Sequence, residues 1–207
     1  MKRLFGVLTS LVFLLGLAVQ AQASLINYTD SSWRVTAADP GVANWNTDLL
    51  YNDSGWESGT VLYNVADYLP GYTAQGIWSS GGQFSTVETV IWARDSFNLG
   101  SLPLTAVLEG GIDDDGEIYV NGSLVVVENN GYANGFLVDI TPYLTLGDNL
   151  IAFRAYDNFP VWGYNHVAWL QVDGEFAQQA PVPEPGTMVL LGAGIAGLVA
   201  FRKRFGL

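Results

Sequence analysis

The chain has 207 residues, 49% hydrophobic and 14% charged, with 24 glycines, 7 tryptophans, 10 tyrosines and 10 phenylalanines; this excludes a disordered chain or a coiled coil and suits one β-rich domain with extensions. The formal charge of −12 is concentrated in residues 24–180, where Arg34, Arg94 and Arg154 stand against 19 acids without a lysine, so nucleic acid and anionic lipid surfaces are disfavoured as partners. Without a cysteine there is no disulfide framework, thiolate metal site or cysteine nucleophile.

Residues 1–23 begin with Lys2-Arg3, continue through an apolar run over residues 4–19, and end in Ala21-Gln22-Ala23 before Ser24. A charged start, an apolar centre and an A-x-A site are the parts of a secretory signal peptide, so export is expected, with an uncleaved anchor as the other reading.

Over residues 24–176, apolar alternation and turn residues recur about every ten positions, which predicts an all-β sandwich or barrel. Strands are expected at 88–97, 104–108, 117–120, 123–127, 136–140, 149–156 and 167–172. The Asn121-Gly122 pair between two of them predicts a type I′ hairpin. Trp33, Trp56, Trp92 and Trp169 lie in or beside strand-like stretches and are expected in the core. Arg94 and Arg154 are expected to form structural ion pairs.

Five segments in this order resemble the galactose-binding-domain-like jelly rolls that accompany many glycoside hydrolases. They are Asn52-Asp53-Ser54-Gly55-Trp56, Trp92-Ala93-Arg94-Asp95-Ser96-Phe97, residues 114–122, residues 138–144 and residues 147–153. The resemblance covers about residues 50–156 and implies a jelly-roll β-sandwich. It leaves function open, because such sandwiches serve as sugar binders, spacers and adhesion modules.

Candidate chemistry sits on loops. Asp113, Asp114 and Asp115 precede a strand and read either as a turn-stabilising acidic loop or as a calcium site. An EF-hand register fails, since positions 111 and 122 are both glycine. No other cofactor is indicated. Asp157, Asn158, Phe159, Trp162, Tyr164, Asn165 and His166 fall in one short stretch, and Trp78 lies in the Gly/Ser-rich residues 71–83. Flat rings suit sugar faces and the amide and acid groups suit hydroxyls; the competing reading is that these rings cap the core. His166 is the only histidine and has no partner motif, so no catalytic triad is expected.

Residues 177–185 form a proline-punctuated linker ending in Pro183, Glu184 and Pro185. An apolar run follows over 186–201, then Arg202, Lys203 and Arg204 in the basic end, 202–207. Sixteen helical residues span roughly 24 Å against a ~30 Å hydrocarbon core, and the cations should stay cytoplasmic. Gly192, Gly194 and Gly197 match G-x-G-x-x-G, but the ten residues that follow leave no room for a dinucleotide fold.

Pro-Glu-Pro, a short apolar helix and Arg-Lys-Arg resemble the PEP-CTERM sorting signal of Gram-negative bacteria. The resemblance implies an exosortase-type membrane protease as partner, transient anchoring in the inner membrane through 186–201, and delivery to the cell surface or extracellular matrix. The expectation is an exported, non-catalytic carbohydrate-binding module for an exopolysaccharide or biofilm polysaccharide. A structural surface protein without a small ligand, or a glycoside hydrolase with a cryptic carboxylate pair, are the alternatives.

Overall fold

The structure is a computed structural model that describes residues 21–41, 43–81, 89–129, 135–158, 167–177 and 185–205. Twelve strands follow in chain order: β1 (Ala21–Tyr28), β2 (Arg34–Thr36), β3 (Glu57–Ser58), β4 (Thr60–Asn64), β5 (Gln75–Trp78), β6 (Thr89–Leu99), β7 (Thr105–Asp113), β8 (Asp115–Val120), β9 (Ser123–Glu128), β10 (Phe136–Asp139), β11 (Gly147–Asp157) and β12 (Val167–Ala177). Sheet A runs β10-β7-β12-β5-β4, with β1 also on β12; sheet B runs β3-β2-β6-β11-β8-β9. The eight strands β5–β12 supply the orders 10-7-12-5 and 6-11-8-9, with the chain changing sheet at every step except β8 to β9. That is the strand order of a jelly roll, in which two Greek keys are wrapped face to face.

The alternation seen in the sequence is what drives the sheets together. Along β7 the even residues Ala106, Leu108 and Ile112 are buried and the odd ones half-exposed, and β8 repeats this with Ile118 and Val120. These residues meet Trp33, Ile77, Ile91, Phe153 and Leu170 in one core cluster, where Trp33 and Phe153 pack with ring centroids 5.5 Å apart. The hairpin forms as expected. Val120 pairs with Ser123, and Asn121 and Gly122 have φ of 49° and 81°, the two positive angles a type I′ turn requires.

Thr29 joins three strands of sheet A. Its N–H donates to the Leu170 carbonyl (2.9 Å), and its hydroxyl donates to the Gln75 carbonyl (2.7 Å) and accepts from the Leu170 N–H (3.1 Å). A side chain thus supplies ladder bonds where β1 gives way to β5 alongside β12, as buried backbone groups require. Residues 23–25 are exposed and burial begins at Asn27.

The strands occupy one compact unit, Ala21–Phe176. The tail forms a separate helix, α1 (Pro185–Phe205), of 21 residues. Pro185 suits a first helical position, where its missing N–H costs nothing, and Arg202, Lys203 and Arg204 suit the negative end of the helix dipole. Among the described residues no helix is long and apolar enough to cross a membrane. The apolar run expected over 186–201 lies inside α1, which continues into the basic cluster. Gly192, Gly194 and Gly197 all lie inside α1, so the dinucleotide match has neither the strand nor the turn that motif needs.

Candidate functional site

The antiparallel registers bring several of the nominated residues to one end of the sandwich. Asp113 pairs with Val167, Asp115 with Tyr156, and Asp157 with Thr89. The Asp114 N–H donates to the Tyr156 carbonyl (2.7 Å). Asn158 donates its backbone N–H to Asp114 Oδ2 (2.8 Å) and its Nδ2 to Asp115 Oδ2 (2.6 Å). Asn158 is therefore a turn fastener. Asp157 is only 3% exposed and does not offer its carboxylate to a ligand, which corrects its nomination. Both ends of the connection between β11 and β12 lie at this pole. Phe159, Trp162, Tyr164, Asn165 and His166 fall outside the described residues, as do Pro183 and Glu184.

Of the two readings of the acidic run, the hydrogen bonds describe the turn-stabilising one. Among the described residues no three histidine or acidic side chains gather as a metal would require. The chain changes sheet within the run, so Asp113 closes β7 while Asp115 opens β8, and Asn158 engages the carboxylates of Asp114 and Asp115. Burial, then the charge of Asp114 and a hydrogen bond to it, push the Asp113 carboxyl up to about 7. The folded state thus holds a proton that the unfolded chain releases near 3.8. The stability this contributes is full below about pH 4 and is lost as pH rises through 7. Asp113→Asn is expected to leave the melt near its parent value at about pH 4 and to stabilise the fold at about pH 8. The gain should be about 1–2 kcal/mol once a per-unit 1.36 kcal/mol is discounted for the solvent-facing side of this half-buried group. Equal melts of the two proteins at both pH values would contradict this.

Two tryptophans exchange roles relative to expectation. Trp78 is the last residue of β5, not a loop residue, and is fully buried in the core cluster. It cannot present a ring to a ligand. Trp169 instead sits between the inward residues Ala168 and Leu170 of β12 and is half-buried on the outer face of sheet A. The signal for this was the alternation itself.

Glycines make room for that outer face. Trp169 pairs with Gly111, and a Cβ at Gly111 would stand 2.9 Å from the indole Nε1, so the indole lies against bare backbone. At Gly76 a Cβ would stand 2.9 Å from both Cε1 and Cζ of Tyr63. Tyr72 meets Trp169 edge to face at 5.1 Å, and Tyr68, 73% exposed, meets Tyr63 at 5.3 Å. Gln171 sets this up from the next outward position. Its Oε1 accepts from the N–H groups of Thr73 (2.7 Å) and Ala74 (3.3 Å), and its Nε2 donates to Asp173 Oδ2 (2.8 Å), holding the segment that carries Tyr72. The Tyr72 hydroxyl donates to Glu109 Oε2. That bond, with burial and the charges of Glu109 and Asp173, pushes Tyr72 up to about 12. Burial, Tyr68 and Asp113 likewise raise Tyr63. The result is a row of rings bordered by Glu109, Asp113 and Asp173, none of which except Asp113 was nominated from sequence.

The outer face of sheet B is covered by contrast. Trp45, Tyr51 and Trp56, from the segment between β2 and β3, pack over Trp92, Ala152 and Tyr119 in a second apolar cluster. Buried Arg94 pins that cover: its Nη1 and Nη2 donate to the carbonyls of Trp45 (2.8 Å) and Asp48 (2.9 Å), and its Nε pairs with Asp53 at 3.2 Å. Burial pulls this guanidinium down from its ordinary value, opposed by Asp53 and Asp48. The expected ion pair is thus found for Arg94. Arg154 instead lies over the rings of Trp92 (5.3 Å) and Tyr156 (4.4 Å). Trp92 belongs to this outer cluster and Trp56 is half-buried over it, so of the four expected core tryptophans only Trp33 is in the main core.

The sandwich is similar to part of several solved enzymes. A glycosyl hydrolase family 2 member from Bacteroides cellulosilyticus is 22% identical over 70% of this chain and 20% of its own, with a TM-score of 0.49. For a Bacteroides uniformis β-glucuronidase the values are 19%, 74%, 18% and 0.50. For a β-glycosidase from Bacteroides vulgatus they are 23%, 72%, 20% and 0.47. What is shared with the β-glucuronidase at such identity is the fold alone, and this chain spans about a fifth of each enzyme's length. No curated protein matches the chain. At the other end of the sequence, Pro-Glu-Pro, the apolar run and the Arg-Lys-Arg cluster fall within a match to the PEP-CTERM protein-sorting motif, residues 181–204. This chain is an all-β sandwich that carries a PEP-CTERM sorting motif at its C-terminal end.

Proposed function

We propose that the protein is an exported, surface-sorted, non-catalytic carbohydrate-binding module of the galactose-binding-like kind, directed at an exopolysaccharide or biofilm matrix. The PEP-CTERM motif implies export, a membrane-anchored precursor and processing by exosortase, a membrane protease. In this reading a signal peptide over residues 1–23 starts export, the apolar run of the tail anchors the precursor transiently, and cleavage near Pro-Glu-Pro releases the sandwich to the surface or matrix. The sugar reading rests on the outward row of Trp169, Tyr63 and Tyr72 bordered by carboxylates, since flat rings and acceptor groups together suit the CH faces and hydroxyls of a pyranose. The non-catalytic reading is supported, among the described residues, by the closeness of the carboxyl pair at the end of β7. Asp113 and Asp114 are hydrogen-bonded to each other, whereas acid and base in glycoside cleavage stand about 5–9 Å apart across the scissile bond.

A glycan array probed with residues 24–180 is expected to retain at least one neutral or cationic polysaccharide. If no glycan is retained, the structural surface-protein reading takes its place. Sorting is tested separately. A chain ending at Ala180 is expected in the soluble fraction, while the full chain passes through a membrane-bound form; equal membrane association of the two would contradict the anchoring role.

A further inference from the structure

We propose that the outer face of sheet A recognises an amino sugar bearing a free, protonated amine, such as a glucosamine oligosaccharide; this rests on the carbohydrate reading above and names its ligand class. The argument is the distribution of charge around the rings. Glu109 accepts from the Tyr72 hydroxyl, whose ring lies against Trp169, and Asp173, held by Gln171, also acts on that hydroxyl; Asp113, which keeps its proton up to about pH 7, adds little to this charge. The three arginines of residues 24–180 lie on β2, β6 and β11, all strands of sheet B. Since this stretch has no lysine, the strands of sheet A carry rings and carboxylates and no cation. An ammonium group gains from the carboxylates by direct charge pairing and from the negative faces of indole and phenol rings. The pyranose that carries it offers CH groups to the same rings. An uncharged sugar would gain only the second contribution. An anionic sugar would be repelled by this face and by the domain's overall charge. Depth of the rings matters as well: Gly111 and Gly76 let Trp169 and Tyr63 lie close to the sheet, so the acids on neighbouring positions stand beside a bound sugar.

The test is calorimetric titration of the full chain in detergent at about pH 7, with glucosamine tetrasaccharide and its fully N-acetylated counterpart as probes. The amine form is expected to bind at least ~10-fold tighter than the acetylated form, and to weaken several-fold between about 50 and 500 mM salt, as exposed charge pairs do. Trp169→Ala should weaken the amine form at least ~10-fold. Glu109→Gln keeps an acceptor for the Tyr72 hydroxyl and removes only the charge; it should weaken binding about 3- to 10-fold with an unchanged melt, and it decides the matter if Trp169→Ala fails to fold. Equal affinity for the two probes, or an unaltered affinity in Glu109→Gln, overturns the amine assignment. Binding of some other glycan on the array with neither probe bound overturns this inference and leaves the carbohydrate reading standing, whereas an array without any bound glycan overturns both.

Discussion

Truncation of Trp78 to alanine is expected to lower the stability of the sandwich by about 3–5 kcal/mol, the usual range for deleting a large ring from a packed interior. The side chain is fully buried among the residues that join the two sheets, so its loss removes apolar burial and leaves a cavity that the surrounding strands only partly fill. For a domain of this size that corresponds to a fall in Tm of roughly 6–20 °C. Thermal unfolding followed by circular dichroism measures it. A melt within ~2 °C of the parent would return Trp78 to the surface role first expected of it. Trp169→Ala should behave differently, with a stability change of no more than about 1–2 kcal/mol, because the ring is half-buried on one side of a sheet and leaves an open surface rather than a void.

Arg94→Ala is expected to destabilise by a similar amount, about 3–5 kcal/mol, for an electrostatic reason. Three groups lose their donor at once: the carbonyls of Trp45 and Asp48, and the carboxylate of Asp53. The cover over sheet B depends on them, so the variant should also expose the cluster of Trp45, Trp92 and Ala152, visible as a red shift in tryptophan emission. Lysine should rescue little, since one ammonium cannot serve three partners in the fork geometry of a guanidinium. Full rescue by Arg94→Lys would mean that charge alone, without the forked hydrogen bonds, holds the cover.

The sequence and the structure agree where the local pattern is dictated by a single periodicity. Strands β6 to β12 were legible because each alternates or ends on a turn residue, and Asn121-Gly122 forced the hairpin by its positive φ angles. The first five strands were not legible. β2 and β3 are two or three residues long, too short for a period, and β5 lies among glycines and serines that read as loop. Trp78 was misplaced for that reason: its burial comes from the partners that tertiary pairing brings, not from its neighbours in sequence. The acidic run stayed ambiguous in sequence. Three adjacent carboxylates read either as a turn or as a cation site, and only the registers show that the chain changes sheet within them, with Asn158 fastening Asp114 and Asp115. The row of Trp169, Tyr72 and Tyr63 gathers residues from β12, the segment before β5 and β4, and each looked like ordinary strand or turn content until the registers put them together.

The central claim is that this surface-sorted sandwich binds carbohydrate through the outer face of sheet A. It is tested most directly by measuring glycan binding and thermal melting side by side for the parent and for Trp169→Ala, using the glycan that the array retains best. The expected result is binding by the parent and at least a ~10-fold loss in the variant, with the two melts within a few degrees. Undiminished binding by the variant, or a parent that binds no glycan at all, would contradict it.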